Sequence, residues 1–249
     1  MRFSLEKWYA DLAWGGGTEI HYRARFKLGK GFFGYTGFIT PEGRHGAFGR
    51  TNLPRAENGG VILDALADVP GRSWTGPAGP PVVLHQSDDG QERLTWQPVL
   101  PNGLVSGPGL PPGVRGYVER LDMNLLPWRL GITRLLWGRF CGERRSLTWI
   151  VWEGARPATW TILDGQVGTR AEVSQESVSL PQCHLEFTTL RPLLDESLGH
   201  GALRGFPGQR LPEAVRWLQG RERKFVSTAR LHGPEGTDEG MAIHEEVTW

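Results

Sequence analysis

The feature that most restricts this chain is a period of two, cut into short lengths by glycine and proline. Residues 18–26, TEIHYRARF, alternate cleanly: Ile20, Tyr22, Ala24 and Phe26 take one face, and Glu19, His21, Arg23 and Arg25 take the other. The next run, GFFGYTGFIT (31–40), is aromatic and Gly-broken, as expected where strands bend in a closed sheet. Further strand-like runs are predicted at 59–66, 81–86, 91–100, 115–123, 132–141, 146–153, 157–164, 166–174, 178–190, 222–231 and 240–249. The 35 Gly and 18 Pro that punctuate them favour tight turns over helices. Only Leu211–Leu218, LPEAVRWL, reads as a helix, with Pro212 in its first turn, Ala214, Val215 and Leu218 on one side, and Gly220 as a stop. One short helix near 211–219 among so many strands predicts an all-β fold, as closed barrels or a sandwich.

A chain of 249 residues suits one large domain or two of roughly 100 to 130 residues. The stretch 101–113, PNGLVSGPGLPPG, lacks apolar periodicity and is the best boundary, dividing the chain into 1–107 and 114–249. No sequence repeat relates the halves. The net charge of +1, with Arg-rich stretches interrupted by acids, argues against nucleic acid or an anionic membrane as partner. The N-terminus carries Glu and Lys where a signal peptide needs apolar residues, and no apolar run approaches the ~18 residues of a membrane helix, so a cytoplasmic protein is expected. Cys141 and Cys183 are expected as two buried thiols rather than a bridge. No HExxH, paired CxxC or GxSxG occurs, and Gly29-Lys30-Gly31 opens no helix, so neither a metal nor a cofactor is expected.

Alternation also tells which ionisable residues join apolar faces. In GMAIHEEVTW (240–249), Glu245 shares a face with Met241, Ile243 and Val247, and His244 and Glu246 take the other. In RGYVERL (115–121), Glu119 lies with Tyr117 and Leu121; in LLWGRF (135–140), Arg139 lies with Leu135 and Trp137. Buried carboxylates take a partner or a proton. Two outcomes stay open: a structural cluster with Arg139 bridging Glu119, Glu245 or both, or one Glu paired with Arg139 and the other kept protonated as an acid. Eleven Trp in the chain either build an aromatic core or line a cavity. Tyr117, Trp137 and Trp149 are candidates to flank a substrate or a carbocation, with core packing as the alternative. The Glu19/His21/Arg23/Arg25 face is either solvent-exposed, the default for a half-covered strand, or a polar cavity lining that would bring His21 and Tyr22 to a ligand.

Six segments together resemble a known superfamily: KWYADL (7–12), EIHYRARF (19–26), RGYVERL, LLWGRF, SLTWIVWEG (146–154) and the terminal GMAIHEEVTW. They look like the bacterial AttH-like and carotenoid 1,2-hydratase (hydroxyneurosporene synthase) proteins. That resemblance implies two lipocalin-like, calycin-type antiparallel β-barrels side by side. It also implies an enzyme that hydrates or cyclises a polyene, isoprenoid or polyketide-type substrate held in a barrel cavity. The alternatives are a pericyclase of Diels–Alderase type, acting by orienting its substrate, and a lipid- or polyene-binding protein without activity. The chain is shorter than the hydratases, and their catalytic acids find no residue-by-residue match in it.

Overall fold

The computed structural model describes residues 3–65, 69–199 and 216–249. The chain divides into two units, Met1–Arg129 and Leu130–Trp249, each built on a ten-stranded antiparallel sheet. In the first unit the strands are β1 (Phe3–Trp14), β2 (Gly17–Leu28), β3 (Gly31–Thr40), β4 (Gly43–Gly49), β5 (Arg55–Glu57), β6 (Gly60–Leu63), β7 (Arg72–Thr75), β8 (Val82–Gln86), β9 (Arg93–Ser106) and β10 (Arg115–Met123). The second unit holds β11 (Ile132–Gly142), β12 (Ser146–Gly154), β13 (Ala158–Leu163), β14 (Gln166–Gly168), β15 (Glu172–Val173), β16 (Ser177–Leu180), β17 (Cys183–Phe187), β18 (Arg191–Ser197), β19 (Arg221–Gly233) and β20 (Gly236–Thr248).

The two sheets have one topology. The first runs β4-β3-β2-β1-β10-β9-β7-β6-β5 with β8 beside β9; the second runs β14-β13-β12-β11-β20-β19-β17-β16-β15 with β18 beside β19. Adding ten to each strand of the first gives the second. The structure therefore contains a repeat that the sequence does not display.

Each sheet curls over its own apolar cluster. In the first unit, Trp8 and Leu12 of β1 meet Val61 of β6 and Trp74 of β7, strands that are not neighbours in the sheet. In the second, Phe140 of β11 and Ala242 of β20 meet Val178 of β16 and Leu185 of β17. Cys141 and Cys183 are buried free thiols.

Two expectations change. The stretch 101–113, read as a linker or a long rim loop, is the end of β9 and the loop of the hairpin leading to β10; Arg115 pairs with Leu104, so β10 belongs to the first sheet. Its Gly and Pro serve a turn, and the contact boundary falls at 129/130 instead. The second is β1, which was not among the predicted strands. Its residues from Trp8 to Ala13 are buried on both faces, so no apolar–polar alternation marks it. Residues 216–218 are helical, and the earlier part of the predicted 211–219 helix lies outside the described residues. No helix among the described residues is long and apolar enough to cross a membrane.

Candidate functional site

The first sheet carries two polar groups, one on each face of β1 and β2. On the face away from the apolar cluster, Tyr9 of β1 stands across from Tyr22 of β2 and Glu119 of β10. Glu119 is 4% exposed. Its Oε2 accepts a hydrogen bond from Trp96 Nε1 at 2.6 Å and another from the Tyr117 hydroxyl at 2.9 Å. Register shifts between β9 and β10 bracket this point, between Gly116 and Val118 and between Val118 and Glu119. Such bulges re-aim side chains, and here both Tyr117 and Glu119 reach one place. Tyr9 packs edge-on against Tyr22 and Tyr117, with ring centroids 5.3 and 6.1 Å apart. Burial pushes the Tyr117 phenol well above its ordinary pKa, so it stays a donor. Asp11, wholly buried, stands across from Tyr117 on the same face. The result is a carboxyl set in a wall of three tyrosines and a tryptophan.

On the opposite, cluster-facing side of β10, Gly116 makes room for Trp74. A Cβ there would run into the Asp11 carbonyl and lie 2.7 Å from Trp74 Nε1, which donates to that carbonyl at 3.1 Å.

On the cluster side, Glu19, His21 and Arg23 are buried, and only Arg25 of that face is exposed. The default reading of this face as solvent-facing is therefore corrected at three of its four positions. The reason is Arg72 of β7, which grips Glu19 with two bonds, Nε to Oε2 at 2.9 Å and Nη2 to Oε1 at 2.6 Å. Glu19 Oε2 also lies 3.2 Å from His21 Nε2. Burial alone would raise the Glu19 pKa; the bonds from His21 and Arg72, with the Arg72 charge, outweigh it and hold the carboxyl at about 2. Burial lowers His21, keeping the imidazole neutral, and lowers Arg23 to about 10. His21 Nδ1 and Arg23 Nη2 are buried without a protein partner among the described residues. Buried polar atoms of this kind usually meet water or a ligand.

In the second unit, Glu245 occupies the place that matches Glu119. Each is on the last strand of its repeat, across from an aromatic residue of the first strand (Trp137 for Glu245), and away from the apolar cluster. Its surroundings differ. Lys224 of β19, wholly buried, pairs with Glu245 and lies 3.4 Å from Glu222, with its ammonium 5.7 Å from the Trp137 ring centre. Arg139 donates to the Met241 carbonyl at 2.6 Å. The counter-charge recorded at Glu245 is thus Lys224, and Glu119 lies in the other unit from Arg139 and Glu245.

Trp137 and Trp149 face opposite sides of their sheet, because Trp149 pairs with Gly138. Even so, both line one small cavity of about 30 Å³, together with Glu245, Phe225, His244 and Leu136. There His244 stacks on Phe187, centroids 4.3 Å apart, and burial, with the Lys224 charge, lowers its pKa to about 4. Of the residues selected from sequence, the structure gathers Glu119, Tyr117 and Tyr22 in one wall, and Trp137, Trp149 and Glu245 around one small cavity of the second unit. Trp96, Tyr9, Arg72 and Lys224 are not singled out by sequence because each acts on a partner from another strand. Among the described residues no group of three or more His, Cys, Asp or Glu is placed to hold a metal.

No family model and no curated protein matches the chain in sequence. Solved structures do match it in shape. CghA aligns over 98% of this chain and 88% of its own at 12% identity, with a TM-score of 0.60; the structure of CghA with Sch210972 gives 0.59 at 11% identity. Kievitone hydratase from Nectria haematococca aligns over the same shares at 10% identity, TM-score 0.56. The fold is that of CghA and kievitone hydratase. An AttH-like protein from Nitrosomonas europaea also aligns over the whole chain, at 10% identity and TM-score 0.48. At these identities the likeness is one of fold.

Proposed function

We propose that this protein is a small-molecule enzyme that hydrates or cyclises an apolar substrate, with Glu119 as the proton-donating group. The observation that carries this reading is the carboxyl of Glu119, buried in a wall of Tyr9, Tyr22, Tyr117 and Trp96. Protonating an isolated double bond needs such an acid in apolar surroundings. The cation that forms is stabilised by aromatic faces, by up to ~2 kcal/mol each when desolvated. Water then adds to the cation, or a second double bond of the substrate does, and a proton returns to the carboxylate. Glu245 has a structural role in this scheme, because the Lys224 ammonium neutralises it. The solved structures support a small-molecule role at the level of fold: one carries Sch210972, and another is a hydratase of kievitone.

The test is Glu119→Gln. The amide oxygen keeps an acceptor for Trp96 and Tyr117 while the transferable proton is lost, so folding is preserved. Turnover should fall by on the order of 10²-fold or more. Unchanged turnover in this variant would leave substrate orientation alone to carry the reaction, as in a pericyclase, and would end the acid reading.

A further inference from the structure

The first sheet has an open cleft of about 430 Å³ at the end where β1 and β9 begin and β2 and β10 finish. Leu5, Phe26, Phe32 and Met123 give it an apolar side, and Phe32 is 70% exposed. Its charged lining is unevenly satisfied. The acids Glu6 and Asp122 share Arg120, whose Nε lies 3.4 Å from Glu6 Oε1 and 2.8 Å from Asp122 Oδ2, and Glu6 also accepts from Trp8 Nε1 at 3.1 Å. The cations Arg25, Lys27 and Arg93 make no ion pair among the described residues; the Lys27 ammonium instead lies 5.0 Å from the Phe32 ring centre. Strand alternation continues the positive line inward. Arg23, two residues before Arg25 and on the same face of β2, is 1% exposed, and its Nη2 has no protein partner among the described residues.

We propose that this cleft binds the anionic head group of an amphipathic small molecule, with Arg25, Lys27 and Arg93 around the anion and Phe26, Phe32 and Met123 against the first part of its apolar chain. Guanidinium groups match carboxylate and phosphate oxygens with paired N–H donors, and the neighbouring acids offer little repulsion because Arg120 holds both. The site gives the substrate of the proposed enzyme a charged end. It extends that reading, but its test rests on binding alone.

The experiment titrates the intrinsic Trp and ligand fluorescence of the full chain with cis-parinaric acid, its methyl ester and a long-chain alkyl phosphate. The acid should bind at least about tenfold more tightly than the ester, and more weakly as salt rises. In Arg25→Gln/Arg93→Gln the acid should lose that advantage while the ester is unaffected. Circular dichroism and melting of the variant confirm the fold, since both side chains are exposed. A stronger response to the alkyl phosphate than to the acid still supports the site and assigns its anion as phosphate. Equal affinity for acid and ester, or an acid affinity indifferent to the double variant, overturns the proposal. Glu119→Gln separates the two readings: it should keep the acid-over-ester preference while losing turnover.

Discussion

Glu119 and Glu245 show how one position acquires two characters from its neighbours. Both stand on the last strand of a repeat opposite an aromatic ring, yet Trp96 and Tyr117 serve the first while Lys224 serves the second. Replacing Lys224 by Met removes an ammonium from between a buried carboxylate, Glu222, and a half-buried one, Glu245, and we expect a loss of about 3 kcal/mol in denaturant unfolding. Glu119→Gln should change stability far less. Two histidines set the pH response. His244 titrates at about 4 in the fold against 6.5 unfolded, and His21 is lowered as well. Below pH 6.5 the unfolded chain takes up these protons first, so stability should decline as pH falls from about 6.5 to 4. Glu19, at about 2 against 4.5, adds a further loss between those values on more acid titration. Unfolding curves across pH should show His244→Gln flattening the first decline by up to roughly 3 kcal/mol; an unaltered slope would mean that burial does not govern this imidazole. Alternation located the carboxylates because it needs only nearest neighbours in sequence. The partners lay hidden because Trp96 and Lys224 come from other strands, and nothing local in β9 or β19 announces them.

At the scale of the element, strands were legible where one face is apolar and the other polar, as in β2, β10 and β20. In β2 that alternation survives although both faces are buried, because one of them is lined by charged residues. In β1, Asp11 and Tyr9 break the pattern because they belong to a polar wall rather than to solvent. The Gly/Pro content of 101–113 looked like a domain link, but only pairing with β10 distinguishes a hairpin from a linker. Gly138 in β11 has its own reason. A Cβ there would overlap the Trp149 ring and lie 2.7 Å from His244 Cβ. Gly138→Ala should therefore push Trp149 off its seat and destabilise the second unit by about 1–3 kcal/mol. A shifted Trp emission spectrum with an earlier denaturant midpoint is the expected result; a variant as stable as the parent would show that the strand yields without cost.

The whole molecule repeats one ten-strand topology with almost no trace of it in the sequence. Curling sheets need apolar residues at the cluster and room at a few glycines, and many sequences meet those demands. The all-β class was readable from punctuation and period; the duplication appears only in the strand order. Between the repeats, the ionisable groups have diverged more than the backbone. The carboxyl in an aromatic wall of the first sheet, against a lysine-paired carboxylate in the second, is why the proposal puts the chemistry in the first unit. The direct measurement is to incubate the protein with a panel of apolar polyenes and isoprenoid acids and follow each by mass spectrometry, comparing parent, Glu119→Gln and Glu245→Gln. A product heavier by one water, or an isomer of equal mass with altered retention, should form with the parent and with Glu245→Gln at comparable rates. It should fall by on the order of 10²-fold in Glu119→Gln. Full product formation by Glu119→Gln, or its loss in a folded Glu245→Gln alone, would contradict the account.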